Sequence, residues 1–309
     1  MDSLSSVGLA TITVTYHPVP GQVARQLASL PAEALKIVVD NGSSAKELDA
    51  LVAVVAHAPN AHLFRLGQNL GLAAAVNKGV KFAQDVKRTE WILLLDQDSE
   101  PKSGAVAGLL SSAQILLDDG RRLGAVGPAL RDPDTGLHHG FHQLRAWRYR
   151  RVTPAAMEKF IECIGLNGSG TLVHTDAFLT YGGLREDLFI DHVDTEWCFR
   201  MRSHGARFFG IPSSVFDHSM GESFRRIWLF GWRVWPNRSP LRLRYLGRNS
   251  IRLLGMGHVP LSWKVWAMAK LTLTAILALL LGARRQESLS SILRGVLDGI
   301  RGMGGRIDG

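Results

Sequence analysis

The stretch WILLLDQD, residues 91–98, decides the fold: five apolar residues run without a polar break and end on two carboxylates, Asp96 and Asp98. A run that short, bounded by acids, reads as a strand buried on both faces, the kind found in parallel sheets covered by helices on each side. The same alternation repeats upstream. Residues 9–16 (LATITVTY) and 35–39 (LKIVV) are apolar or β-branched runs. The first stops at Pro18, and the second is closed by the turn sequence Asp40-Asn41-Gly42-Ser43. Residues 61–66 offer a third strand, and helical spacing fills 22–30, 46–57 and 72–84. This predicts an α/β chain with a Rossmann-like, mainly parallel sheet flanked by helices. Ligands bind such sheets at the carboxyl ends of the strands, the edge toward which Asp40, Asp96 and Asp98 point.

Farther along, the pattern loosens. A helix is expected over 103–117 and a strand over 124–130, whereas 138–153 is basic and aromatic without a clear period. Asn167-Gly168-Ser169-Gly170 leads into an apolar run. Residues 194–204 have helical spacing, and short strands at 208–211 and 214–216 lead to Asp217-His218.

With 46% hydrophobic residues in 309, the chain has the apolar surface to fold, which excludes a disordered protein. Cys163 and Cys198 make neither a disulfide framework nor a zinc spacing, so a reducing cytosol fits. Residues 1–9 carry an acid and no basic segment before an apolar core, and no signal peptide is expected. The net charge of +9 is uneven: from residue 222 onward 15 Lys and Arg face four Asp and Glu, placing a boundary near Gly221, with domains over 1–222 and 223–309. The second part, expected to be a helical tail, crowds Trp228, Trp232, Trp235, Trp263 and Trp266 among arginines. That mixture suits the boundary of a bilayer. Residues 271–282 lack charge but are shorter than the ~20 a span requires, and extending back to 261 takes in Lys264 and Lys270. A helix lying in or shallowly under a membrane surface is expected, the alternative being a homo-oligomer burying the same face. No motif accompanies the basic tail that would make nucleic acid its partner.

Four constellations carry candidate chemistry. Asp96 and Asp98, one residue apart on a turn, present hard oxygen ligands for Mg²⁺ or Mn²⁺ and through it a diphosphate, or form a solvated turn. Asp40 at a strand end accepts a nucleobase imide N–H or simply shapes its turn. In Asp191-His192-Val193-Asp194-Thr195-Glu196, an acid at a helix start serves as a cap or as a general base. His218 adds an imidazole to a metal shell or packs as an ordinary histidine.

Taken in order, these stretches (VTYHP, VVDNGS, NLGLAAAVNKGV, WILLLDQDSEP, GSGTLVH and GGLREDLFIDHVDTEWCFRMRSHG) resemble the family 2 inverting glycosyltransferases of the GT-A fold. FIDHVDTEW and DQDSEP are most similar to bacterial rhamnosyltransferases. The resemblance spans about residues 9–221. It implies a nucleotide-sugar donor, with Asp40 at the nucleobase and Asn69, Gly71 and Asn77 lining the nucleotide pocket. It makes Asp96 and Asp98 the D-x-D pair, Asp98 the direct metal ligand and His218 a further one. Counting back six residues from Arg200 puts the base on Asp194. This chain has His192-Val193 where an acid is common in the family, so Asp191 and Glu196 stay as alternatives. It further implies dTDP-L-rhamnose as donor, a lipid-linked glycan of a cell-surface polysaccharide as acceptor, and a peripheral position at the cytoplasmic face of the membrane. A sugar-nucleotidyltransferase would open with a Gly-rich basic loop after the first strand, where this chain has Tyr16-His17-Pro18. A donor that is a UDP-sugar, or a non-catalytic nucleotide-sugar binder recruited to membranes, are the remaining alternatives; the second is disfavoured by the distal acids.

Overall fold

The computed structural model describes residues 8–145, 148–153, 158–218, 224–228, 232–236, 238–281 and 284–307. The first half alternates as the hydrophobic pattern requires: β1 (Leu9–Thr15), α1 (Pro20–Ser29), β2 (Leu35–Asp40), α2 (Ala45–Ala56), β3 (Ala61–Arg65), α3 (Leu72–Val86) and β4 (Trp91–Asp96). Then follow β5 (Ser99–Pro101), α4 (Ala105–Asp118), β6 (Leu123–Arg131), β7 (Phe141–Arg145), β8 (Arg148–Val152), β9 (Ile161–Cys163), β10 (Leu172–His174), α5 (Thr175–Thr180), α6 (Val193–Ser203) and β11 (Arg207–His218). Beyond residue 223 lie β12 (Phe224–Trp228), β13 (Trp232–Pro236), α7 (Pro240–Leu254), α8 (Leu261–Leu281) and α9 (Arg285–Ile300).

One sheet runs β3-β2-β1-β4-β10-β6-β11-β5, with β9 added to β11. The pairs β1–β2, β1–β4, β2–β3 and β6–β11 are parallel; β10, β5 and β9 pair antiparallel. The continuous apolar run of β4 is used on both faces. Ile92 and Leu94 join one core with Ile12, Val39 and α3, while Trp91, Leu93 and Leu95 join the other with Val23, Leu27 and Leu109. α3 lies so close to the sheet that a Cβ on Gly79 would sit 2.6 Å from Val39 Cγ2. α2 begins with a capping box between Ser44 and Glu47, which satisfies two donors at its N-terminus.

Three segments differ from the sequence pattern. Residues 208–216 form one strand, because β11 continues through a register shift between Ile211 and Val215 instead of breaking. The aperiodic stretch 138–153 contains the β7–β8 hairpin, paired from Phe141–Val152 to Arg145–Arg148. The tail, expected to be helical, opens with a second hairpin, β12–β13, so that expectation is corrected over 224–236. Its Ile, Val and Trp residues favour extended structure, and a helical periodicity does not compete there. The boundary near Gly221 lies outside the described residues.

Residues 261–281 form a single helix, longer than the uncharged stretch suggested. Its window 261–280 has mean hydropathy 1.4 and is long and apolar enough to cross a membrane, by length and composition only. One stripe, Trp263, Ala267 and Leu271, is nevertheless buried against the protein. Trp263 meets Phe199 of α6 edge-on, with centroids 5.6 Å apart.

Candidate active site

Parallel register brings the acids together. Thr15 pairs with Asp40 and Val14 with Asp96, so both carboxylates leave the sheet at its carboxyl edge. His218 reaches the same place from far along the chain, because β11 pairs antiparallel with β5 and sets it opposite Ser99. Asp96, Asp98 and His218 each offer a ligand atom, and these atoms lie within 4.8 Å of one another. His218 Nδ1 is 3.4 Å from Asp98 Oδ1 and 3.0 Å from Ser99 Oγ. Two carboxylates and an imidazole are a donor set that fits a divalent cation. Burial raises the Asp96 pKa, with Asp98 and Asp194 adding to the shift and His218 opposing it. Burial works against a charge on His218, but Asp98 and Asp96 outweigh it and raise its pKa. The pair is thus electrostatically unfavourable without a positive charge between its members.

The turn that aims these acids is braced by a residue the sequence pattern hides. Gln26, buried on α1, donates to the carbonyls of Asp96 and Ser99, both at 2.6 Å, and accepts from Thr13 Oγ1 at 2.8 Å. The Tyr16 backbone N–H donates to Gln97 at 2.9 Å. Ser99 Oγ bonds Ser169 Oγ of the Gly-rich loop, and the next amide back, Gly168 N–H, donates to Asp194 Oδ2 at 3.3 Å. The loop thereby ties the acid cluster to Asp194. A pocket lined by Pro128, His139, His142, Asn167 and Ser169 opens there. Burial brings His139 down to about 4, so it is neutral near pH 7, and its Nε2 has no hydrogen-bond partner among the described residues.

Of the three acids around α6, the structure separates the roles sharply. Glu196 is fully buried, held by Arg200 at 3.0 Å and facing His258 at 3.0 Å, so it is a packing ion pair. Asp191 is bonded to Arg242 Nε at 3.3 Å, and its side chain is only 9% exposed. Asp194 is not the cap, since His192 occupies that position, without a side-chain capping bond. It sits in the first turn of α6, where Thr195 N–H donates to Oδ1 at 2.8 Å. Burial raises its pKa, partly offset by the N–H donors of Thr195 and Gly168.

Asp194 is presented by a strained loop. Phe189, Asp191 and His192 have φ of 65°, 58° and 62°, left-handed values that cost a non-glycine residue roughly 1–2 kcal/mol each. α7 holds this loop in place. Asn249, fully buried, donates to the carbonyls of Leu188, Ile190 and Asp191 at 2.8, 2.6 and 3.0 Å. Arg248 adds a bond to Leu188 O at 3.0 Å, and Ser250 meets His192 Nε2 at 3.1 Å. Sequence reasoning missed this clamp by assigning α7 to a membrane tail. The available signal was Asn249 three residues after Leu246, a polar residue on the apolar stripe of an amphipathic helix.

The remaining expected residues all have internal partners. Asp40, 2% exposed, accepts from the N–H groups of Gly42 and Ser43 at 3.3 and 3.2 Å. Asn69 Oδ1 accepts from Gly71 N–H at 3.0 Å and Asn41 Nδ2 at 3.2 Å. Gly71, at φ 89°, packs so closely that a Cβ would lie 2.6 Å from the Phe189 ring. Asn77 spans to the neighbouring turn, accepting from Leu184 N–H at 2.9 Å and donating to Leu184 O at 2.8 Å and Glu186 at 3.0 Å. These bonds lock the VVDNGS and NLGL stretches to each other and to the turn leading into the strained loop.

The chain has the GT-A fold of glycosyltransferases. The mannosyltransferase PcManGT from Pyrobaculum calidifontis, solved with GDP-Man and Mn²⁺, superposes with a TM-score of 0.56 at 15% identity, over 96% of this chain and 88% of that one, a likeness of fold. Residues 25–158 match the family described as Glycosyl transferase family 2, and the chain carries a domain of that family. It is 28% identical over 297 residues to the dTDP-rhamnosyl transferase RfbF of Shigella flexneri, covering 95% of this chain and 96% of that one. It is also 28% identical, over 71% of its length and 78% of the relative's, to the N-acetylglucosaminyl-diphospho-decaprenol L-rhamnosyltransferase of Mycobacterium tuberculosis.

Proposed function

We propose that this protein is an inverting rhamnosyltransferase that moves L-rhamnose from dTDP-L-rhamnose to a lipid-linked glycan during cell-surface polysaccharide synthesis. The observation that carries the reading is the convergence of Asp96, Asp98 and His218 at the carboxyl edge of the sheet, with Asp194 tied to them through the Gly-rich loop. The sugar and the acceptor class are supported by the two rhamnosyltransferase relatives, one of which acts on a diphospho-decaprenol.

In this reading Asp98 and His218 would hold a divalent cation, with Asp96 beside them on the donor, and that cation would supply charge neutralisation to the leaving diphosphate. An imidazole among the ligands suits Mn²⁺ better than Mg²⁺, which prefers an all-oxygen shell. Asp40 keeps lone pairs free for the thymine imide, and Asn69, Gly71 and Asn77 shape the nucleotide pocket. Asp194 takes the proton of an acceptor hydroxyl as its oxygen attacks the anomeric carbon from the face opposite the diphosphate. The bond from that carbon to the diphosphate oxygen breaks, the pair leaves with dTDP, and configuration inverts. The raised pKa of Asp194 brings it nearer the strength such a base requires. Asp191 and Glu196, engaged by arginines, position the loop and helix instead.

Residues 1–222 form the transfer domain. Residues 223–309 brace its catalytic loop through α7 and face the cytoplasmic side of the membrane through α8 and α9. Leu261, Val265, Ile276 and Leu280 on α8 and Leu293, Leu297 and Ile300 on α9 are exposed apolar residues accompanied by the tail's arginines. The test is transfer by the purified chain from dTDP-rhamnose to a prenyl-diphosphate-linked N-acetylglucosamine, with product stereochemistry read by NMR. An anomeric centre of retained configuration, or no product with any acceptor while donor binding is intact, contradicts the proposal.

A further inference from the structure

Three cations gather about the single carboxylate of Asp191, three residues ahead of Asp194. Arg242 bonds Asp191 at 3.3 Å, while Arg238, just ahead of α7, and Lys270, on α8, feel the charge of the same carboxylate. Among the described residues, neither Arg238 nor Lys270 has an ion-pair partner of its own, and both are half-buried. Lys270 Nζ lies 4.7 Å over the Trp266 ring, and Trp266 lies 4.7 Å from the ring of Tyr149, which feels the charge of Asp194. Arg242 in turn contributes to the electrostatic field at Asp96. Burial brings Lys270 down to about 8 and lowers Arg238 as well. Holding uncompensated positive charge in a partly desolvated place is costly, and an anion relieves that cost.

We propose that Arg238, Arg242 and Lys270 form a diphosphate-binding subsite on the acceptor side of Asp194, with Trp266 and Tyr149 as its aromatic wall. Three positive charges against the one carboxylate of Asp191 leave a double positive excess, which matches the double negative charge of a diphosphate diester. The donor's diphosphate would be met by the divalent cation that Asp98 and His218 would hold beside Asp96. The acceptor is the other diphosphate that the proposed reaction brings in, so this inference rests on that reading. α8 adds an independent reason: the helix that supplies Lys270 exposes Val265 (64%), Ile276 (48%) and Leu280 (59%), an apolar face suited to the prenyl chain that such a diphosphate carries.

The first probe is inorganic pyrophosphate with EDTA present, titrated calorimetrically into the full chain, so that no cation bridges the Asp96–Asp98 pair. The wild-type protein is expected to bind it. Arg238→Gln with Lys270→Gln should weaken binding at least tenfold, about 1.4 kcal/mol, and Arg238→Lys with Lys270→Arg should keep it. In steady-state transfer the Gln variant should raise the KM for a prenyl-diphosphate-linked acceptor at least tenfold, with the Kd for dTDP and Mn²⁺ unchanged. Absent binding in the wild type, or equal binding in the Gln variant, overturns the subsite. A parallel loss of dTDP affinity with an unchanged acceptor KM overturns the acceptor assignment and gives the cations to the donor. Because the pyrophosphate titration uses neither metal nor sugar, it stands or falls separately from the reading of the protein as a rhamnosyltransferase.

Discussion

Replacing Asn249 by Ala should damage transfer although Asn249 touches no substrate. Its amide is the donor for three carbonyls of the strained loop at 2.6–3.0 Å. Leu188 O keeps its bond from Arg248, but the Ile190 and Asp191 carbonyls lose theirs. Two backbone acceptors left without a partner cost about 2–4 kcal/mol together, allowing for partial access of water. That is comparable to the strain of Asp191 and His192, so the loop has reason to relax out of its left-handed conformation. A domain of this size should lose roughly 5–15 °C in Tm. If the loop relaxes locally, Asp194 moves, and a displacement of about 1 Å lowers kcat by roughly a hundredfold. Donor affinity should stay within twofold, because the acid cluster rests on Gln26 and β11 instead. The assays are thermal unfolding, calorimetric donor binding and single-turnover transfer. Asn249→Asp, of equal size but without donors, should be at least as damaging. An N249A protein with wild-type Tm and kcat refutes the clamp.

Three further outcomes are expected. Asp194→Asn should lower kcat by about 10²–10⁴ with donor Kd unchanged, and the wild-type kcat/KM should fall on acidification at a pH above the ordinary Asp range, because burial raises that carboxyl; an active D194N protein refutes the base assignment. Asp98→Ala and His218→Ala should each weaken Mn²⁺ binding at least tenfold by titration calorimetry, whereas Glu196→Gln should leave it unchanged and lower Tm; equal metal affinity in all three contradicts the ligand set. Burial alone would raise Asp187, but Arg185 and Arg252 outweigh it and bring its carboxyl down to about 2. Its contribution is therefore complete above about pH 4 and is lost as pH falls toward 2, so Asp187→Asn should lower Tm at pH 7 and flatten the decline of Tm between those values.

The residues that were legible in the sequence are those whose role follows from local pattern. The unbroken apolar run 91–95 gave a strand buried on both faces, and the acids after it fell at the carboxyl edge because parallel register puts strand ends side by side. His218 was recognisable as a candidate, but its meeting with Asp98 depends on the antiparallel β5–β11 pairing, which joins segments more than a hundred residues apart and leaves no local trace. The hairpins β7–β8 and β12–β13 were hidden because basic and aromatic residues obscure the two-residue alternation. The function of α7 was misread for a different reason. Arginines usually mark a solvated or lipid-facing surface, yet here Arg248 is buried at 1% exposure and spends its donors on the carbonyls of Gly305 and Leu188. A polar side chain bonded to distant backbone looks, in one dimension, like any exposed residue.

The account's central claim is that a metal held by Asp98 and His218 binds a deoxythymidine-diphosphate sugar for transfer. The most direct test is calorimetric binding of dTDP-L-rhamnose and of UDP-sugars to the full chain, with Mn²⁺, with Mg²⁺ and with EDTA. The account predicts that dTDP-L-rhamnose binds at least tenfold tighter than any UDP-sugar and that EDTA abolishes the binding. Equal affinity with and without the chelator, or no affinity for any nucleotide sugar, contradicts it.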